Sequence, residues 1–348
     1  MAESLLKELS NADIDWMFSV GKISQVAVGT TIIQANECPD KFYIILDGEV
    51  VLSGRAKGET TSQELIHLGS SDVLGVSPLF KATLPFEAKA ATDVRLFSLS
   101  QDQLAVKLAA DVTFKAHLYR AIALILSDRL RKIYATPDQL RFANNQAAKE
   151  AMVVFGELRD SDIDWLISVG KIKQYSAPDD FLVQAGRPVE ALYIVLRGQF
   201  AVHVFQGSRA PDPISVCFEC PYKMADTMKV VTNLSKGQMA GTIAFLDFQP
   251  HLFSIRTTDD AMVLRIPRPQ LAAKLLQDMD FSARFHRILG LQLLDLLQTS
   301  MGHGEPDPAS SGGTLGEIDG EIDMESLEHA SQGAVRFNWM LKQLGTMS

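Results

Sequence analysis

The chain has 348 residues, more than one compact core usually holds, so two domains are expected. It carries 33 Lys and Arg against 42 Asp and Glu, a formal net charge of -9, which argues against nucleic acid or an anionic membrane as partner. With 47% hydrophobic residues, no apolar run of about 18, no signal-peptide pattern in MAESLLKELS and three cysteines, the expectation is a globular, cytoplasmic protein in a reducing compartment.

In chain order, residues 12–25 read ADIDWMFSVGKISQ and residues 161–174 read SDIDWLISVGKIKQ, ten identities in fourteen positions. This is an internal repeat. It continues as FYIILDGEVVL (42–52) against LYIVLRGQFAV (192–202), where strand-length apolar stretches end at Gly48 and Gly198. LGSSDVLG (68–75) then matches LSKGQMAG (234–241) at a wider spacing, which places an insertion of 16 residues around 203–230. Each copy closes on an amphipathic helix: Asp111, Phe114, Arg120, Leu124 and Asp128 match Asp278, Phe281, Arg287, Leu291 and Asp295. In the second copy Phe285, Leu289, Leu293 and Leu296 widen the apolar face, which something must cover, and a homodimer through helix 281–299 is one way.

Each unit is thus a leading helix, six to eight short strands and closing helices. The fold class expected is mainly β with flanking helices: two tandem jelly rolls at 1–133 and 160–301, joined by a helical linker at 134–159. An acidic flexible linker at 302–333 and a short amphipathic helix at 334–348 follow. Eight acids and no Lys or Arg lie in 302–335, so the acidity belongs largely to this tether.

The stretch GTTIIQANECPDKFYIILDGEV, then LG, then TDVRLFSLS, resembles the cyclic nucleotide-binding domain, the jelly-roll module of catabolite activator proteins and kinase regulatory subunits. The resemblance covers residues 10–133 and 160–300. It implies a phosphate-binding cassette that opens Gly-Glu and ends near an Arg, with backbone N–H groups and the guanidinium on the phosphate and the Glu on the ribose hydroxyl. In copy one, Gly75 keeps its place, but Val76 stands for the Glu, followed by Ser77, and Leu84 stands for the Arg. In copy two, Gly241 is kept, Thr242 replaces the Glu, Ile243 follows, and His251, next to Leu252, replaces the Arg.

Losing both anchors costs about 1.5–3 kcal/mol each, roughly a thousandfold in affinity together, so neither copy is expected to bind cyclic AMP or cyclic GMP in the usual way. Val76, Pro78, Leu84 and Phe86 give copy one a filled apolar site. Thr242, His251 and the nearby Arg256 leave a small polar or anionic ligand open for copy two, His being cationic only near or below about pH 6.5.

Other chemistry is sparse. Cys217 and Cys220 (CFEC) have half-zinc-site spacing, but no second pair follows and His203 and His251 stand alone, so no metal and no cofactor are expected. The acidic run from Asp319 has Met324 where a calcium loop needs its Gly. No nucleophile elbow, phosphate loop or dinucleotide fingerprint occurs, so the chain reads as non-enzymatic. Residues after 302 offer no DNA-binding element, and no Arg-Arg inhibitor segment is present. In the tail, Val335, Phe337, Trp339, Met340, Leu341 and Leu344 make an apolar helix face, which packs back on its own domains or a dimer mate, or docks into the groove of a protein partner. The function expected is a regulatory scaffold, with a small-ligand sensor through copy two as the alternative.

Overall fold

The structure, a computed structural model, describes residues 4–54, 62–134, 155–176, 180–205, 228–300 and 324–346. The chain starts with α1 (Ser4–Glu8) and α2 (Asn11–Val20). Ser10 and Asp13 form a reciprocal capping box at the start of α2, which satisfies two of its otherwise orphaned N–H groups. Eight strands follow: β1 (Lys22–Val26), β2 (Thr31–Ile33), β3 (Lys41–Asp47), β4 (Val50–Gly54), β5 (Gln63–Leu68), β6 (Val73–Leu74), β7 (Phe86–Ala90) and β8 (Val94–Ser100). They form two antiparallel four-stranded sheets, ordered β1-β8-β3-β6 and β2-β7-β4-β5. Helices α3 (Gln101–Ala110) and α4 (Val112–Tyr134) close the unit.

The second copy repeats this plan with α5 (Asp160–Val169), β9 (Lys171–Tyr175), β10 (Phe181–Val183), β11 (Ala191–Arg197), β12 (Phe200–Phe205), β13 (Met228–Leu234), β14 (Met239–Ala240), α6 (Thr242–Asp247), β15 (Ser254–Thr257), β16 (Ala261–Pro267), α7 (Arg268–Gln277) and α8 (Met279–Ser300). Its sheets run β9-β16-β11-β14 and β10-β15-β12-β13, the same order by position. The two jelly rolls expected from the repeat are therefore present. Even the irregularities recur, with a register shift late in β3 and β11 before Gly48 and Gly198. Both glycines have positive φ, 89° and 79°, and a Cβ would come within 2.4 Å of the Asp93 carbonyl oxygen or 2.6 Å of that of Asp260.

Each closing helix is anchored to its own leading segment by ion pairs. In copy one, Arg120 pairs with Glu8 at 3.0 Å and His117 with Asp13 at 2.9 Å. In copy two, Arg287 pairs with Glu157 and Arg284 holds both oxygens of Asp162 at 2.9 and 3.0 Å. Asp111 and Asp278 accept from the backbone N–H of Phe114 and Phe281 at the starts of α4 and α8, and each also takes a lysine. Those hydrogen bonds lower both carboxyl pKa values, with burial opposing.

Two sequence expectations need correction. The apolar face of α8 is covered from within the chain: Phe285, Ile288, Leu289 and Leu293 are fully buried and share one core with Leu118, Ile122 and Leu126 of α4. A homodimer through 281–299 is not what buries it. The tail helix α9 (Met324–Gln343) starts ten residues before 334, inside the stretch expected as flexible linker.

The tail also docks in cis. Phe337, Met340 and Leu341 are buried, Phe337 edge-on to Phe155 at 4.7 Å, while Arg336 bonds Asp160 and the Gly156 carbonyl oxygen, both at 2.9 Å. Trp339 and Leu344 pack partly buried against the same core, and Val335 is exposed. Phe337, Met340 and Leu341 therefore cannot serve as free anchors for a partner's groove. Residues 135–154 of the expected helical linker, Cys217 and Cys220, and the acidic run up to residue 323 lie outside the described residues. Among the described residues, no helix is long and apolar enough to cross a membrane, and no cluster could hold a metal ion.

Candidate functional site

The cassette of copy one lies between β6 and β7. Gly75 has φ 71°, and a Cβ there would come 2.1 Å from the Lys41 carbonyl oxygen, so the chain turns where only Gly fits. Its carbonyl accepts from Gln101 Nε2 at 2.8 Å. Residues Ser77–Phe80 form a single 3-10 turn with Val76, Ser77, Leu79 and Phe80 buried, and Leu84 packs partly buried against the same core.

This turn docks on the other copy. The Phe80 ring fills the space at Gly290 of α8, where a Cβ would meet its Cζ at 2.6 Å. Gln298, also on α8, donates to the Thr83 carbonyl at 2.8 Å. Tyr119 donates to the Leu79 carbonyl at 3.3 Å from beneath. Sequence reasoning missed one cation here: Arg129 is buried on α4, and its Nη2 donates to the Val73 carbonyl while Nε has no partner. Burial disfavours its charge, and Asp72 and Asp128 oppose that effect.

The cassette of copy two is a true helix, α6, entered from Gly241 at φ 88°. Thr242 is partly buried, Ile243 buried, and Leu252 partly buried against the core. His251 faces Gly241, where a Cβ would lie 3.5 Å from the imidazole Cε1. The structure brings together Gly241, Thr242, Ile243, His251 and Leu252 at one cavity.

The closing helix of copy one reaches this cassette and clamps it. Arg131 holds both Asp247 oxygens, the Nη2 contact at 2.9 Å, and donates to the Pro250 carbonyl at 3.0 Å. Ser127 donates to the same carboxylate at 3.1 Å, and Tyr134 meets Phe253 edge-on at 4.7 Å. Each closing helix therefore covers the other copy's cassette, α8 on the first and α4 on the second. Arg131 could have been flagged in the sequence, since its repeat partner is Gln298 and not a basic residue.

Beside the second cassette is a cavity of about 90 Å³. Val183, Val202 and Ile255 of the barrel and Leu293 and Leu296 of α8 form its apolar walls, and Thr232, Gln238, Thr242, His251, Gln292 and Asp295 its polar ones. No Lys or Arg is among the described residues that line it. His251 does not replace one: burial, and then the charge of Arg131, push its pKa down from 6.5 to about 4, with Asp247 opposing. The imidazole is neutral at physiological pH. The anionic ligand left open by the sequence reading therefore finds no cation among the described residues that line the cavity.

Comparison with a family model agrees with this architecture. The family model described as the cyclic nucleotide-binding domain matches residues 24–111 and 173–278. Among solved structures, the regulatory domain of Toxoplasma gondii PKA with cAMP is 16% identical, with 80% of this chain and 89% of that chain covered and a TM-score of 0.29. A regulatory subunit of a cAMP-independent protein kinase A from Trypanosoma brucei is 14% identical over 87% and 93%, TM-score 0.32. The Thermus thermophilus catabolite activator protein is 17% identical over 48% and 70%, TM-score 0.32. No curated protein matches the chain.

Proposed function

We propose that this chain, which belongs to the cyclic nucleotide-binding domain family, is a non-enzymatic regulatory scaffold whose two domains do not hold cyclic AMP or cyclic GMP in the family's manner. One observation carries this reading: neither cassette has a cation at the position where the family's arginine stands, and the buried Arg129 near the first is turned to the Val73 carbonyl. Copy one has Val76 and Leu84 at the anchor positions and a buried Phe80 between them, and copy two has Thr242 and an uncharged His251. A phosphate buried without a compensating charge is strongly disfavoured. The exchange of closing helices supports a fixed two-domain platform, because each cassette is already docked on protein.

Calorimetric titration of the full chain with cyclic AMP and cyclic GMP tests this. The expected result is no binding at micromolar concentration; micromolar or tighter affinity for either nucleotide overturns the reading.

A second reading is favoured by the cavity beside α6. Copy two then senses a small ligand, and the clamp through Asp247 and Arg131 relays occupancy to α4. A melting temperature raised by the ligand in the native chain, with the rise reduced in Arg131→Met, marks the sensor; a ligand effect independent of Arg131 removes the relay.

A further inference from the structure

The cavity of copy two is polar where copy one is not. Aligned position by position, Thr232, Thr242, His251 and Gln292 of copy two stand at Ile66, Val76, Leu84 and Ile125 of copy one. All four line the cavity. The exchange of polar for apolar side chains is thus concentrated at this void.

The chemistry of that void is one-sided. The guanidinium of Arg131 is engaged by Asp247 and the Pro250 carbonyl, and that of Arg256 stacks on the Phe181 ring at 4.4 Å. Asp295 adds a carboxyl group to the wall. Among the described residues lining the cavity, an anion would find no partner charge for its desolvation. At the same time the carboxamide oxygen of Gln292 is buried and has no hydrogen-bond partner. Buried acceptors are almost always satisfied, and no described residue supplies a donor to this one.

Size narrows the class further. The cavity of about 90 Å³ has room for about three waters at about 30 Å³ each. That suits a single ring system and not a ring, sugar and phosphate together.

We propose that this cavity is a binding site for an uncharged, ring-sized molecule with an apolar face and an N–H or O–H donor, which the Gln292 carboxamide oxygen accepts. The inference rests on the sensor reading of copy two given above. A ligand so placed touches Thr242 at the start of α6 and Gln292 of α8, and α6 is the element that Arg131 clamps.

The test uses the full chain and three probes that share one ring: adenine and adenosine, both uncharged, and cyclic AMP, which adds the anion. Binding is followed by calorimetry and by a crystal structure with the tightest probe. The expected result is that an uncharged probe binds at micromolar to millimolar concentration and at least tenfold more tightly than cyclic AMP. Gln292→Leu should weaken that binding about tenfold, the loss of one neutral hydrogen bond, without lowering the melting temperature of the free protein. Thr242→Val, which places the copy-one residue in the wall, provides a second variant should Gln292→Leu fold poorly, and it should weaken the same probe.

If no uncharged probe binds at millimolar concentration, or the crystal shows only an ordered water on Gln292, the proposal falls while the scaffold reading stands. If cyclic AMP binds best, both fall.

Discussion

In copy one the inside of the barrel and the closing helices belong to a single apolar core, running from Val50, Leu52 and Leu68 through Val76, Phe80 and Phe86 to Ile122 and Leu126. In copy two the barrel interior, with Tyr175, Phe200, Val202 and Ile255, is a cluster of its own, and Ile243, Ala244 and Leu293 belong to the helical core instead. The cavity lies between the two, bordered by Val202 and Ile255 on one side and by Ile243 and Leu293 on the other. The backbones have the same strand order. The cavity of copy two is therefore a gap kept open in a core, and a few apolar side chains are enough to close it. Copy one fills the matching region with packed side chains.

The largest test of that contrast is removal of the closing ring. Phe80→Ala should cost about 3–5 kcal/mol, because the ring is fully buried against Gly290 and little nearby can collapse into its place. Its repeat partner Leu246, buried next to a region already divided by a cavity, should cost about 2 kcal/mol as Leu246→Ala, the low end for such changes. Urea unfolding of both variants measures the difference. Equal losses would mean that copy one is no better filled than copy two.

The second test concerns the clamps. Arg131 and Asp247 are mostly buried, with side-chain exposures of 17% and 12%. Arg131→Met strands the carboxylate and should cost about 3 kcal/mol. Gln298, which makes one exposed hydrogen bond to Thr83 at the matching place, should lose no more than about 1 kcal/mol as Gln298→Met. If the two substitutions cost the same, the ion pair does not distinguish the two docking contacts.

Much of this was legible in the sequence for a physical reason: the SDIDW–SVGKI repeat, the Gly turns and the capping aspartates are local signals, and local signals survive in one-dimensional form. The exchanges Val76 for Thr242 and Leu84 for His251 could be read by alignment. What could not be read was contact between the copies. Nothing local says that Phe80 meets Gly290 or that Arg131 meets Asp247, which lie more than a hundred residues apart. The apolar face of α8 was visible, but the element that covers it is set by tertiary packing alone. The same holds for α9, whose Phe337 is an anchor by type and is used within its own chain.

The contrast also has a signature in acid, because copy two buries histidines where copy one has residues that do not titrate there. His251 and His286 stand at Leu84 and Tyr119. Burial, then the charge of Arg131, lowers the first to about 4; burial, then the charge of Arg120, lowers the second to about 3. In the unfolded chain both take up a proton near pH 6.5. Between that pH and the folded values the unfolded state binds more protons, so stability falls as pH falls, by about 1.4 kcal/mol per pH unit for each histidine. From pH 6.5 to pH 5 that is about 2 kcal/mol from each. The carboxylates with lowered pKa, Asp13, Asp111 and Asp278, have an ordinary value of 3.8 and contribute mainly below this window. His251→Leu, which installs the copy-one residue, should therefore remove about half of the histidine-linked loss measured by denaturant unfolding at pH 7 and pH 5. A slope unchanged by this substitution would mean that the imidazole is not held neutral, and a cation would then be available beside the cavity after all.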